Sequence, residues 1–175
     1  MESGGHRGGS PSPAVAPARD DTGGMTTCEA CRLVARRDRG EAPAWDRILR
    51  TDGWDLAHAY GAALEGWLVL VTRRHVAVVA DLTDEEAAEL GPLLQRASRA
   101  LRDTIGCPKT YVAQFAEDPL HQHVHVHVIP RHADQPPDLE SYRIFSLLGG
   151  EEPEVSEDRR NELAAGLAEH LGSQT

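Results

Sequence analysis

Histidine and valine alternate between His121 and Val128, with Gln122 taking one of the valine places. A period of two is the period of a β-strand, whose successive side chains point to opposite faces. The pattern therefore predicts a strand with histidines on one face and core-facing valines on the other. The four histidines are His121, His123, His125 and His127. Pro130 has no N–H to give to a ladder and is predicted to end the strand.

Other segments predict the remaining strands of a sheet. Residues 45–50 and 54–60 flank the turn pair Asp52-Gly53 and predict a hairpin. The short apolar run over 67–72 predicts a central strand, and residues 110–115 predict the strand before the histidine run.

Helices are predicted where apolar residues recur every three or four positions. The longest follows a capping-box pattern that starts at Thr83 and continues to about residue 104, where Gly106 stops it. A short helix begins at the Cys-x-x-Cys sequence near residue 28, and others are predicted over 139–148 and 157–171. Ser156 is the predicted N-cap of the last helix and Gly172 its end. This order of elements predicts an α+β domain over 26–172, an antiparallel sheet with segregated helices.

Composition limits the classes of function. A chain of 175 residues suits one domain, and residues 1–25, rich in Gly, Ser, Pro and Ala, are predicted to be a disordered tail. A net charge of −10 argues against a nucleic-acid partner. Without a long apolar run or a signal-peptide pattern, we expect no membrane partner and a cytoplasmic location. Three cysteines make a disulfide framework improbable, and Cys107 is expected to be an inert, buried thiol.

The row of imidazoles could be an accident on a solvated strand, but two kinds of chemistry explain it better. His123, His125 and His127 could chelate a catalytic metal ion. Alternatively, one imidazole could attack an electrophile while its neighbours stabilise charge. The pair Cys28 and Cys31 is ambiguous by itself, because a redox motif would follow a strand and a zinc site needs two more ligands.

The run from His123 to Ile129 resembles the His-x-His-x-His-x-x signature of the histidine triad superfamily. Pro130-Arg131 strengthens the resemblance to the branch that contains the Fhit-type dinucleoside polyphosphate hydrolases and the bacterial triad hydrolases. The resemblance extends upstream to Cys28 and covers about 120 residues, the length of one ordinary domain. It implies the same α+β fold and a homodimer.

The resemblance also implies roles for the histidines. His125 would attack the α-phosphorus of a nucleotide conjugate, such as a dinucleoside polyphosphate, and water would then hydrolyse the nucleotidyl-histidine. His127 would bind the phosphoryl oxygens, and His123 would hold the strand geometry. Gln114 matches a family Asn or Gln near the ribose or phosphate. His121 is extra to the motif and either reaches the leaving phosphates or lies in solvent. A magnesium ion carried by the substrate polyphosphate is a further expectation.

A structural zinc ion is a second implication of the resemblance. The bacterial triad hydrolases have an early Cys-x-x-Cys and a histidine after the central strand, and they use the first triad histidine as the fourth ligand. The corresponding ligands here are Cys28, Cys31, His75 and His123. From the residues alone, His75 is equally an ordinary surface histidine.

Three departures from the family pattern leave the substrate open. Asp118-Pro119-Leu120 stands where the family commonly has Gly-Gln-Ser/Thr, and Gly66-Trp67 stands where it often has Gly-His. No acidic ribose contact is evident near Tyr60. The leaving group could therefore be an amine, as for a nucleoside phosphoramidase, a sulfate or a sugar phosphate. A zinc-stabilised module that binds a nucleotide without turnover is the alternative from another class.

Overall fold

The structure of the protein is a computed structural model that describes residues 28–172. The tail predicted over 1–25 lies outside these residues. Between them, five strands form one sheet in which every neighbouring pair is antiparallel, in the order β1-β2-β3-β5-β4. The strands are β1 (Leu49–Arg50), β2 (Trp54–His58), β3 (Leu68–Thr72), β4 (Lys109–Ala113) and β5 (His125–Arg131). The predicted central position of the strand near residue 70 is confirmed.

Helices pack on both faces of this sheet. They are α1 (Glu29–Asp38), α2 (Asp84–Ile105) and α3 (Glu157–Gly172), together with shorter 3₁₀ turns at Ala44–Asp46, Val79–Asp81, Pro137–Leu139 and Ser141–Leu147. The predicted α+β class, an antiparallel sheet with helices, is confirmed. None of the helices found between residues 28 and 172 is both long enough and apolar enough to cross a membrane.

The alternation along β5 separates two layers of core. Val124, Val126 and Val128 are buried in the larger hydrophobic cluster, beneath α2 and α3. Ile129 faces the other way, into a smaller cluster beneath Ser141–Leu147. Each fully buried valine of this kind stabilises the fold by roughly 1.5–3 kcal/mol. The buried valines thus anchor the strand to the core. The histidines on the opposite face are not needed for this packing and are available for chemistry.

Local signals at the ends of the long helix act as predicted. The Thr83 hydroxyl accepts from the backbone N–H of Glu86, and the Glu86 carboxylate accepts from the backbone N–H of Thr83. This reciprocal pair satisfies two N–H groups that the first turn leaves without a partner. Gly106 ends the helix with a φ of +70°, a left-handed conformation that favours glycine.

Several predicted strand boundaries were wrong, and two of the differences have a clear physical cause. The first hairpin strand is only Leu49–Arg50, because Ala44–Asp46 forms a 3₁₀ turn whose Asp46 carboxylate pairs with Arg37. Pro130 does not end β5, which continues to Arg131. Pairing with β3 stops at Val128, so at Pro130 the strand has only β4 beside it and tolerates a missing donor.

The prediction of four histidines on one strand face was also wrong. β5 begins at His125, so only His125 and His127 share a face of the regular strand, and His121 and His123 lie in the irregular segment before it. The helix predicted over 139–148 is instead the 3₁₀ segment Ser141–Leu147. Gly172 is the last residue of α3 rather than the residue after it, while Ser156 caps that helix by accepting from the N–H of Arg159 at 3.3 Å.

Candidate active site and metal cluster

His125 and His127 project from the middle of the sheet. Val71 and Val69 of β3 are their register partners, and Ala113 of β4 lies across from His127. Their face of the sheet is covered on one side by α1 and on the other by Ser141–Leu147. The two imidazole centroids are 5.1 Å apart with nearly perpendicular planes.

His125 is held with one ring nitrogen free. Its Nδ1 lies 2.7 Å from the backbone carbonyl oxygen of His123. A carbonyl oxygen only accepts, so Nδ1 carries the proton and Nε2 keeps its lone pair. Burial lowers the pKa of His125 below its ordinary value, which favours the neutral ring. A neutral imidazole with a free, oriented nitrogen is the form required of a nucleophile.

His127 is held in the opposite tautomer. The indole Nε1–H of Trp67 donates to its Nδ1 at 3.0 Å. Because an indole N–H only donates, Nδ1 must be the unprotonated nitrogen and Nε2 carries the proton. Burial, and next the charge of His125, lower the pKa of His127 to about 4. The residue therefore offers a hydrogen-bond donor beside the nucleophile without itself being charged.

His123 turns away from this pair. Its Nε2–H donates to the backbone carbonyl oxygen of Thr72 at 2.7 Å, so the lone pair is on Nδ1. That nitrogen lies 3.6 Å from the Cys28 sulfur and 3.5 Å from the Cys31 sulfur. Burial lowers the pKa of His123 to about 4, and the ring is neutral, as a metal ligand must be.

Cys28, Cys31, His75 and His123 come together as predicted. One ligand atom from each lies within 4.8 Å of the others, and Cys31 Sγ is 3.2 Å from His75 Nδ1. In a tetrahedral zinc site with ordinary bond lengths, sulfur and nitrogen ligands lie about 3.6 Å apart. Among residues 28–172 this is the one group of three or more His, Cys, Asp and Glu side chains placed to hold a metal. His125 and His127 are outside it.

Two neighbouring strands and one helix create the cluster. Cys28 is the N-cap of α1 and Cys31 lies in its first turn. His75 follows the end of β3 and His123 precedes the start of β5, and these two strands are paired. Burial and the adjacent Cys28 raise the pKa of the Cys31 thiol to about 12. The Cys31 thiol would ionise only with a cation beside it, which is what a bound metal provides.

The other predicted substrate residues lie at the edge of this region. Gln114 is half-buried, directly after the end of β4. His121 is half-exposed, with Nδ1 3.3 Å from a carboxylate oxygen of Asp118. Asp118 also accepts from the backbone N–H of Leu120 at 2.8 Å, so this acid organises the turn at Asp118-Pro119-Leu120. Substrate contacts by Gln114 and His121 stay predictions.

Aromatic residues beside His127 were not predicted from the sequence. The Phe145 ring centroid is 5.2 Å from those of both His127 and Trp67, and Phe115 lies 5.2 Å from Phe145. The only signal was the departure at Gly66-Trp67. Phe145 comes from the 3₁₀ segment, which no periodic pattern along the chain connects to β5.

No family model matches the chain. The AP-4-A phosphorylase of Mycobacterium tuberculosis is 31% identical to it over 106 residues, which are 57% of this chain and 51% of that protein. The chain thus spans about half the length of the curated relatives it matches.

Solved structures show the same fold. A zinc-bound histidine triad family protein from Mycobacterium smegmatis has 22% identity and a TM-score of 0.61, with 85% of this chain and 95% of that chain covered. The diadenosine triphosphate hydrolase of Plasmodium falciparum has 17% identity and a TM-score of 0.55, with 73% and 76% covered. The predicted resemblance is confirmed, since the chain and these structures share one architecture.

Proposed function

We propose that this chain, which has the histidine triad fold, is a nucleotidyl hydrolase or transferase that forms a covalent nucleotide adduct on Nε2 of His125. The observation that carries the proposal is the opposite tautomers of two adjacent histidines. His125 presents a lone pair, and His127 presents an N–H beside it. Attack on a phosphorus atom needs both, a nucleophile and a donor to the oxygens on which charge develops.

The reaction balances in two steps. His125 Nε2 forms a bond to the α-phosphorus, and the bond from phosphorus to the leaving group breaks with its electron pair. The ring becomes cationic, and the carbonyl of His123 accepts from its Nδ1–H throughout. His127 Nε2–H donates to a non-bridging oxygen. Water, or phosphate in a phosphorolysis, then attacks the phosphorus. The nitrogen–phosphorus bond breaks and its electron pair returns to Nε2, which restores the neutral imidazole, and the proton of the attacking water is released to solvent.

The similar proteins support this class of substrate. One curated relative is named for phosphorolysis of AP-4-A, and one structural neighbour is a diadenosine triphosphate hydrolase. Both substrates are dinucleoside polyphosphates. We therefore assign this chain a nucleoside polyphosphate conjugate, attacked at an α-phosphate.

The decisive experiment compares His125→Asn with the parent protein on diadenosine polyphosphates. Loss of a covalent nucleophile should lower kcat on the order of 10³-fold or more while nucleotide binding stays unchanged. Acid quenching of the parent protein during turnover should give an intact mass increased by one nucleotidyl group. His170→Asn is the matched control, because His170 lies in α3, which packs on the face of the sheet opposite to His125. Nucleotide binding with neither turnover nor adduct would favour the non-catalytic binding module.

We also propose that the Cys₂His₂ cluster holds one structural zinc ion. The ligand set and the sulfur–nitrogen distances fit a tetrahedral zinc shell, and a structural neighbour is described as zinc-bound. The ion would fasten α1 to β3 and β5. Elemental analysis of protein purified without added metal should find about one zinc per chain.

The control for the zinc measurement is Cys107→Ser. Cys107 is a buried thiol outside the cluster, so this variant should keep its metal, whereas Cys28→Ser should lose it. Zinc absent from the parent protein, with Cys28 and Cys31 both reacting freely with a thiol reagent, would contradict the proposal.

A further inference from the structure

We infer that Trp67 is a positioning residue that keeps His127 a neutral hydrogen-bond donor, and that the site therefore favours phosphoanhydride substrates over phosphoramidates. The inference rests on the proposed nucleotidyl transfer to His125 and narrows its substrate class. Its basis is a contact that joins a residue at the start of the central strand to the last histidine of the run.

Packing holds the indole in place. Trp67 is completely buried, and its carbonyl accepts from the backbone N–H of Ala59 at 2.8 Å. Phe145 lies edge-on to the indole and to the His127 ring, at 5.2 Å from each. His127 is itself only 6% exposed. Neither ring has room to turn, so the 3.0 Å bond between Trp67 Nε1 and His127 Nδ1 is a fixed feature of the site.

The chemistry of the indole makes this contact selective. Trp67 can donate but cannot accept, and it does not titrate. Protonation of His127 at Nδ1 would place two N–H groups against each other and break the bond. A histidine at this position, as the family often has, could reorganise to accept from an imidazolium. Trp67 removes that option, so His127 stays a neutral donor through its Nε2–H.

The leaving group must then depart without a proton from His127. A phosphate or nucleoside polyphosphate leaves as a stable anion, with the electron pair of the broken phosphorus–oxygen bond. An amine leaves readily only if its nitrogen is protonated as the phosphorus–nitrogen bond breaks, a task for a general acid. A neutral imidazole is a poor general acid because donation would leave an imidazolate. The structure therefore disfavours amine leaving groups.

The test measures kcat/KM for diadenosine tetraphosphate and for adenosine 5′-phosphoramidate with parent protein, Trp67→Phe and Trp67→His. We expect the parent to prefer the anhydride. Trp67→Phe keeps an aromatic ring without the donor, and its kcat on the anhydride should fall about tenfold with little change in KM. Trp67→His should shift the ratio of the two kcat/KM values toward the phosphoramidate. Trp45→Phe is the matched control, a buried tryptophan in the 3₁₀ turn Ala44–Asp46.

A second readout does not depend on turnover. The ¹⁵N chemical shifts of His127 in the parent protein should show an unprotonated Nδ1 and a protonated Nε2, and Trp67→Phe should mix the tautomers. A protonated Nδ1 in the parent, or a preference for the phosphoramidate, overturns the inference, as do unchanged substrate ratios in both folded variants. If Trp67→Phe does not fold, the parent's ¹⁵N shifts and substrate ratio decide. Failure of the proposed function is distinct, since it would show as no adduct on His125 and no turnover of either compound.

Discussion

Arg37 joins the helix of the metal cluster to the sheet, and its replacement by methionine should destabilise the protein severely. The Arg37 side chain is 2% exposed. It donates to a carboxylate oxygen and the backbone carbonyl of Asp46 at 2.6 and 2.7 Å, and it lies 3.5 Å from a carboxylate oxygen of Asp55. Both carboxylates are completely buried.

The size of the loss of stability depends on which cationic partner each carboxylate would keep in Arg37→Met. Asp55 would keep Arg50, whose Nε is 2.8 Å away. Asp46 would lose the guanidinium at 2.6 Å and remain buried with its charge uncompensated. Removing one partner of a buried ion pair costs about 3–5 kcal/mol. Since a domain has a free energy of unfolding of about 5–15 kcal/mol, this loss is a large share of the total.

Urea denaturation of Arg37→Met measures this loss directly. Asp46→Asn added to that variant should restore much of the stability, because it removes the uncompensated charge, so the double-mutant cycle should show strong coupling. Arg39→Met is the control, since the Arg39 side chain is exposed and, among residues 28–172, pairs only with exposed Glu41. The reasoning is refuted if Arg37→Met is no less stable than the control, or if the two substitutions are simply additive.

Three further predictions concern stability and assembly. Burial lowers the pKa of His58 from 6.5 to about 4. Between pH 6.5 and pH 4, the unfolded chain therefore binds a proton at His58 that the folded chain does not bind. His58 by itself should lower the free energy of unfolding by about 3 kcal/mol between pH 6.5 and pH 4. His58→Leu should remove this share of the slope in urea titrations, while His123 and His127, whose pKa values are lowered to the same extent, keep theirs. Thr83→Ala breaks the capping box and should cost about 1 kcal/mol by the same assay, against no loss for Gln95→Ala, an exposed position in the middle of the same helix. Light scattering at micromolar concentration should give twice the formula mass, as the predicted homodimer requires, and a monomer mass would defeat that prediction.

Local patterns predicted the elements whose residues determine them without help from elsewhere. The valines of β5 alternate with period two, and the strand buries them as that period requires. Thr83 and Glu86 lie in one turn of chain, so their reciprocal hydrogen bonds were visible in the sequence. The α+β class followed because most of the strong patterns were local in this sense.

Boundaries set by distant contacts could not be predicted in this way. Trp45 and Asp46 look like strand residues, but the 3₁₀ turn that holds them depends on Arg37 and on Arg160, whose guanidinium lies 3.9 Å from the Trp45 ring centre. Pro130 is tolerated inside β5 because β3, which runs in the opposite direction, begins only at Leu68, the partner of Val128. The sequence next to Trp45 and Pro130 shows neither the arginines that hold the 3₁₀ turn nor the point where pairing with β3 stops.

The same limit applies to the site. The sequence identified the imidazoles, but chemistry depends on which nitrogen of each ring carries the proton. For His123 the Thr72 carbonyl decides this, and for His125 the carbonyl of His123 does. For His127 the indole of Trp67, the residue before β3, decides it. Only the spatial arrangement of the strands brings the Thr72 carbonyl to His123 and the Trp67 indole to His127.

His123 connects the metal cluster to the nucleophile, yet the two should be separable. Its Nδ1 faces the cysteines, while its carbonyl oxygen accepts from His125. The position of that carbonyl is also fixed by main-chain bonds on either side, because the N–H of His123 donates to His121 at 2.7 Å and the N–H of Val124 donates to Val76 at 2.6 Å. These bonds do not involve the metal ligands' side chains. Cys28→Ser should therefore release the metal and expose α1 to proteolysis, while kcat on a diadenosine polyphosphate falls far less than in His125→Asn. Equal losses of kcat in the two variants would show that the metal, rather than the backbone, holds the nucleophile.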